Sequence, residues 1–561
     1  MEIMKKFKKY TWAGMFLALI VGSCQKPDYV EPNDKSDITD FYATLDGSGR
    51  SRLFNSHISN DTVFVNIDYY YPIDSDNEVD LSKVLLKASI PVDSKIVPSL
   101  DGISDLSKPI NVEVIAGDGS SKKYVIVANK KGNTDIFGAR LNFQDQEGVP
   151  QEVDAILVGN VVNFSIVPGT QVINPKLSYT LNKHASGSIP NGTAVNLNQP
   201  IPFTVTSAGD AKEQYTLKTV EAIKLPKGIR ANSAKIMFAK KLKADLGIDV
   251  DNMTSSIAVS GKHLVLNTRA ANSVYINAFT GAKEGTIELG AIKGSLRNFY
   301  STSDDAGNIF INNLAPNDGA VFKIWKANSA TAALVPFIEW NTAGKAIGRK
   351  VSIIGDVNTN AIITAPFHAA GDKTFARWQV INGALVSSTP TVVTVADYSW
   401  SNNNIDLIYT NPTSTSSEYY AIGYSDNRLV RVNGTTNSVA ANLEKLDANF
   451  IANAVDYAEF NNGKYVAYNH INSFDWGSAD QVFLIDTEGG FSGNPSLNTT
   501  PGLVWSAPKG IYGRAGTMQP SNANGTGDVV MAVSDNGFYL YLYFMFTNGY
   551  VVGVQYDCVD L

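Results

Sequence analysis

The chain has 561 residues and a formal net charge of -7, and its 25 Tyr, 25 Phe and 45 Gly are scattered among many Val, Ile, Thr and Asn. That length is too great for one hydrophobic core and implies roughly three or four domains. No Lys/Arg cluster follows the first ten residues, which argues against a nucleic-acid partner held on a basic face. Two cysteines, Cys24 and Cys558, exclude a disulfide framework and sites of paired thiolates, and five dispersed histidines show no HExxH spacing. No cofactor and no metal is expected.

The chain opens with Lys5, Lys6, Lys8 and Lys9, then an apolar run from Trp12 to Val21, then Gly22-Ser23-Cys24. A basic head, about ten apolar residues and a small-residue exit describe a signal peptide over 1–23, since a membrane span needs about twenty apolar residues. Val21-Gly22-Ser23-Cys24 resembles a bacterial lipobox. The resemblance implies cleavage before Cys24 and lipid on its sulfur, with the membrane reached through that anchor alone. The plainer alternative is a secretory signal followed by a buried cysteine. Residues 24–36 contain Pro27 and Pro32 and no apolar period, and read as a tether. Asp28, Glu31 and Asp34 resemble the surface-export signal of Bacteroidetes-type lipoproteins, which implies an outward-facing position on the outer membrane.

Residues 37–131 and 132–224 read as two copies of one domain. Pro109-Ile110-Asn111-Val112-Glu113-Val114 is echoed by Pro200-Ile201-Pro202-Phe203-Thr204-Val205, and Tyr124-Val125-Ile126-Val127 by Tyr215-Thr216-Leu217-Lys218. Both pairs share an offset of 91 residues, with turns at Asp118-Gly119 and Gly209-Asp210. Alternating strands in units of this size predict immunoglobulin-like β-sandwiches without the Cys…Trp…Cys signature. The acidic run Asp74 to Asp80 has Val79 where a calcium loop requires glycine, so it reads as a solvated loop.

From 232 to 561 one phrase recurs: a short apolar run, a polar turn, a second apolar run. Six such pairs are Thr254–Thr268, Arg297–Leu314, Arg349–Phe367, Val395–Asn411, Asn453–His470 and Arg514–Asn536. Third runs follow several of them, as at Val321–Trp325, Phe375–Val380 and Gln481–Ile485. Antiparallel blocks at this spacing predict a β-propeller. Six blades are expected, and seven if Ala234–Leu242 belongs to a blade of its own. The fold class is therefore all-β: two sandwiches, then a propeller.

A propeller brings the starts of its first strands and the ends of its second strands to one mouth. That rule selects Arg297, Arg349 and Arg514 at strand starts, and Arg269, Asn313, His368, Asn411, Asn469, His470 and Asp535-Asn536 at strand ends. The loop Asn472 to Gly477 adds Asp475 and Trp476. Trp325 and Trp378 fall within runs and read as packing, whereas Trp400 and Trp476 are candidates for stacking on a sugar ring. Arginines there could pair with one another's acidic neighbours or hold a ligand carboxylate.

No P-loop, Rossmann, G-x-S-x-G or zinc-protease fingerprint occurs. Ser303-Asp304-Asp305-Ala306-Gly307-Asn308-Ile309-Phe310 resembles the Asp box of sialidases, six-bladed enzymes that use three arginines, a Tyr nucleophile with a Glu beside it, and an Asp acid/base. Tyr457 with Glu459, and Tyr398 with Asp397, would be the corresponding candidates. Taken whole, the chain resembles surface lipoproteins of polysaccharide-utilisation systems. The resemblance implies a non-catalytic protein binding a polysaccharide or oligosaccharide, and the propeller geometry puts that ligand at the mouth, on Arg297, Arg349, Arg514, His368, Asn469, His470, Asp475, Trp476 and Trp400. The alternatives are a sialidase-like hydrolase, or a structural lipoprotein that docks a neighbouring outer-membrane transporter.

Overall fold

The computed structural model describes residues 31–45, 52–249, 255–400, 404–424, 428–444, 451–472, 479–517, 522 and 524–561. Cys24, Asp475 and Trp476 therefore lie outside the described residues. Strands dominate, and the chain divides into two compact units. The first holds residues up to Asn142, Glu152–Phe164 and Pro175–Thr219; the second holds Phe143–Gln151, Ser165–Asn174 and Val220–Leu561.

The first unit carries the tandem sandwiches, and the two have the same strand order. In each, apolar residues alternate with exposed ones, as in Ile110–Ile115 and Ile201–Thr206, so that Val112 and Val114, like Phe203 and Val205, point into a core. Strand Thr62–Asp68 runs parallel to Ser121–Lys131, while its other neighbour, Phe54–Ser59, is antiparallel. Strand Phe54–Ser59 joins both sheets of the sandwich, pairing Phe54 with Ala43 in one and His57 with Phe64 in the other. Gly119, Gly209 and Asp210 hold positive φ at the expected turns.

The acidic run is not merely solvated. Asp74 accepts from Asn182 Nδ2 at 2.7 Å, Asp76 pairs with Lys183 at 2.7 Å, and Glu78 pairs with Lys130 at 2.6 Å. His184 stacks on Tyr70 with centroids 3.9 Å apart. The run thus latches the first sandwich to the second within this unit.

The second unit is a six-bladed propeller. Its inner strands are Ser255–Ser260, Tyr300–Ser303, Ser352–Gly355, Ile405–Tyr409, Val455–Phe460 and Gly527–Val533, which open blades 1 to 6 in that order. Lys235–Lys241 does not make a blade of its own. It pairs with Tyr550–Asp557 as the outermost strand of blade 6, so that the start of the ring is sewn to its end. Phe238 anchors this strand, 6% exposed and packed against Tyr543 and Gly553.

Four of the six expected pairs coincide with the first two strands of a blade; two are shifted. Blade 4 pairs Ile405–Tyr409 with Tyr419–Gly423, and blade 6 pairs Gly527–Val533 with Tyr539–Phe546. In blade 6 the polar stretch Asn524-Gly525-Thr526-Gly527, which reads as the hairpin turn of the pair Arg514–Asn536, instead leads into the inner strand, where Asn522 and Thr526 bond each other. Asn and Gly favour turns at both ends of a blade, so turn chemistry alone does not set the phase. As a result Asn411 and Asp535-Asn536 occupy first-hairpin turns, at the opposite end of the ring from the expected mouth.

Candidate functional site

Each inner strand is the edge of its blade, and its outward N–H groups would be unpaired without help. Side-chain oxygens accept such N–H groups at five of the six blade junctions, and hydroxyl donors bridge the sixth. Asp528 of blade 6 accepts from the Ile257 N–H at 2.9 Å, Asp406 of blade 4 from Val455 at 3.1 Å, and Asp456 of blade 5 from Met531 at 2.6 Å. Ser256 of blade 1 accepts from the Ser301 N–H at 2.9 Å, and Asp305 of blade 2 from the Gly355 N–H at 2.9 Å. Between blades 3 and 4, Ser352 donates to Asp406 and Thr364 donates to the Leu407 carbonyl at 2.6 Å. Carboxylates on inner strands therefore fasten the ring.

One cation compensates them. Lys350 is 2% exposed and reaches into the channel to Asp528 at 2.8 Å, with Tyr300 donating to the same carboxylate at 3.0 Å. Burial raises the carboxyls of Asp406 and Asp528, and Lys350 pulls each back down. Asp456 has no such cation among its causes and is pushed well above the usual carboxylate range by burial.

At the end of the ring where the first hairpins turn, the channel opens into a cavity of about 840 Å³. One wall is aromatic. Tyr539 and Tyr541 alternate outward from the second strand of blade 6 with centroids 6.2 Å apart, and Phe279 of blade 1 meets Tyr541 edge-on at 5.5 Å. Asp305, Asp456, Glu459 and Asp535 also line the cavity, Asp535 from the hairpin turn that leads into Tyr539, and Lys262 is the single basic side chain among the described lining residues. The segment 143–151 of the same unit adds Asp145 and Glu147. Tyr457 lines this cavity too and donates to Glu459 at 3.0 Å. Asp305 is exposed as a whole residue, yet enough protein surrounds its carboxyl to push it up to about 6, burial being the largest cause. Planar faces together with hydrogen-bond acceptors suit a ligand with apolar C–H faces and hydroxyl edges.

The Asp-box stretch is a structural turn. Asp304 accepts from the N–H groups of Ala306, Asn308 and Val357, and Gly307 takes φ +78.

Of the residues selected from the sequence, Asp535 and Asn536 line the cavity, because the shift in blade 6 carries them to the hairpin-turn end, whereas the proposed arginines, histidines, Asn469 and Trp400 do not line it. Arg297 is exposed, donating to the Ala291 carbonyl at 3.1 Å and facing Asp318 at 3.4 Å. Asn469 is fully buried and accepts from the N–H groups of Asn453 and Ala454, so it shapes a turn. His470 is 1% exposed, and burial lowers its imidazole to about 3. Trp400 is 3% exposed and donates through Nε1 to the Phe367 carbonyl at 2.6 Å, which leaves no ring face for stacking. Trp378 is buried as expected, with Nε1 on the Ser388 carbonyl. Arg514 begins a short helical turn before blade 6 and acts on Asp480. Arg349 and His368 come together and keep unpaired donors or acceptors. Sequence reasoning missed Tyr539, Tyr541, Phe279 and the inner-strand aspartates; an Asp in an otherwise apolar inner strand, as at Asp406 and Asp528, was the available signal.

The fold and its cavity define the class: an all-β protein with tandem immunoglobulin-like sandwiches and a six-bladed propeller whose channel opens into an acidic, aromatic-walled pocket. The chain belongs to the family described as Domain of unknown function (DUF8500), whose model matches residues 237–557. Residues 19–128 match a second family, Domain of unknown function (DUF5018). Among solved structures, a DUF4623 family protein from Bacteroides eggerthii DSM 20697 is similar at 12% identity and TM-score 0.46, covering 76% of this chain and 99% of that one. The hydrazine synthase of Kuenenia stuttgartiensis matches at 13% identity and TM-score 0.29, covering 52% of this chain and 73% of that one. No curated protein matches the sequence.

Proposed function

We propose that the protein is a non-catalytic glycan-binding lipoprotein of the outer-membrane surface, anchored through Cys24, with a polysaccharide or oligosaccharide held in the propeller cavity. The observation that carries this reading is that Tyr539, Tyr541 and Phe279 line, together with several carboxylates, one space of about 840 Å³. Sugar rings offer polarised C–H groups to the aromatic faces, and their hydroxyls donate to carboxylates. The signal and lipobox support the address, and the sandwich pair supports a spacer role. This places the ligand at the hairpin-turn end instead of the arginine-bearing end.

Affinity electrophoresis of the full chain in polysaccharide gels tests it. Retardation by at least one neutral, acidic or amino polysaccharide is expected, and Tyr541→Ala should weaken it about fivefold while melting like the parent, in line with an aromatic contact of about 1 kcal/mol. Unretarded migration across all three classes would overturn the reading.

One observation favours a second reading. Tyr457 and Glu459 form a hydrogen-bonded pair in the cavity, and Asp305 is pushed up to about 6, where a carboxyl can donate a proton near neutral pH. Release of reducing sugar that disappears in Glu459→Gln would make the protein a hydrolase.

A further inference from the structure

The strand-start end of the ring gathers the basic residues that the cavity lacks. The N–H of His368 donates to the Ala346 carbonyl at 3.0 Å, and Ile347 forms a β-bridge with Phe367, so His368 lies beside the segment leading into Arg349. On the other flank, Arg269 sits 4.9 Å over the Phe299 ring. Phe299 donates to the Asn312 carbonyl at 2.8 Å, and Asn312 donates to the Gly348 carbonyl at 2.8 Å. Gly348 permits this approach: its φ is +108, and a Cβ there would stand 2.2 Å from the Asn313 carbonyl oxygen.

Arg349 is thus held between Arg269 and His368. Burial is the main influence on its guanidinium, and the Arg269 charge adds repulsion. Among the described residues no carboxylate pairs with Arg349, and its buried Nε has no hydrogen-bond partner. His368 is 7% exposed, and its Nδ1 is likewise unpartnered. A guanidinium carries five donors in a planar fork, and leaving donors buried and unmatched is costly. A guanidinium with no carboxylate partner among the described residues, beside an imidazole with an open ring nitrogen, matches the requirements of an anion.

We infer that Arg349 and His368 form an oxyanion site at the strand-start end of the propeller, which takes the carboxylate, sulfate or phosphate group of a ligand. Arg349 is the anchoring fork and His368 the neighbouring hydrogen-bond donor. The site shares no lining residue with the cavity, and the inference stands whether or not the cavity binds glycan.

Calorimetric titration of the full chain at low ionic strength tests it, with sodium sulfate, glucuronate and glucose 6-sulfate as probes, and glucose and sodium chloride as controls. At least one oxyanion should bind where glucose and chloride do not. Arg349→Gln should weaken that binding about tenfold or more, and Arg349→Lys, which keeps the charge but not the fork, should weaken it less. Binding by glucuronate or glucose 6-sulfate supports the site with a sugar-borne anion, and binding by sulfate alone supports it with a free ion. Circular dichroism melts of both variants separate loss of binding from loss of fold, and His368→Asn gives a second variant should Arg349→Gln not fold. The inference is overturned if no oxyanion binds above the controls, or if folded Arg349→Gln binds as the parent does.

Discussion

Carboxyl groups in this propeller act as fasteners as much as charges, and that has a thermodynamic signature. Asp480 is 1% exposed and accepts from the Asn472 N–H at 2.8 Å. Burial pushes its carboxyl up to about 7, with the Asn472 bond and Arg514 pulling the other way. The folded state therefore binds this proton more tightly than the unfolded chain, whose Asp titrates near 4. Its contribution is present below about pH 4 and is lost as pH rises through about 7. His368 and His470, both held at about 3 by burial, oppose that trend only below their unfolded value near 6.5. Between pH 6.5 and 8.5 the melting midpoint should fall, and Asp480→Asn should flatten the slope. Midpoints measured across that range decide it; an equal slope in both proteins would remove Asp480 as the cause. Lys350 shows the complementary principle: a buried ion pair is weak evidence for stability, but deleting one partner leaves an uncompensated charge at a cost of about 3–5 kcal/mol.

Among elements, the strand Lys235–Lys241 matters most, because its ladder with Tyr550–Asp557 builds the start of the ring into the last blade. Its pairing with Tyr550–Asp557 carries a register shift between Ile236 and Phe238, and Phe238 fills the space that Gly281 and Gly553 leave open. Truncating a buried aromatic costs about 3–5 kcal/mol, and in a domain of this size each kcal/mol moves the midpoint by about 2–4 °C. Phe238→Ala should therefore melt roughly 10 °C lower, read by differential scanning calorimetry. A shift of less than about 2 °C would mean the closure does not limit unfolding. The strands themselves were legible as apolar runs between Asn, Asp and Gly turns in four blades. In blades 4 and 6 the phase slipped, because Asn-rich stretches occur before an inner strand as readily as after one.

For the whole molecule, the sandwich pair and the propeller are joined to an N-terminal address by the proposed lipid anchor. If Cys24 is the attachment point, metabolic labelling with a palmitate analogue should mark the chain, and Cys24→Ala should abolish the label and release the protein from the membrane fraction. Label retained in Cys24→Ala would sink the anchor while leaving the fold and the cavity as described.

The amino-acid order by itself determined the all-β class, the 91-residue repeat and the six-fold recurrence, because alternation and turn chemistry act over neighbours a few residues apart. Only the tertiary structure decided which end of the ring holds the cavity, which aspartates face the channel, and that Trp400 and Asn469 are internal. Those facts depend on strands brought together across the chain, as Lys350 meets Asp528 over 178 residues, and such a meeting leaves no local trace in the sequence.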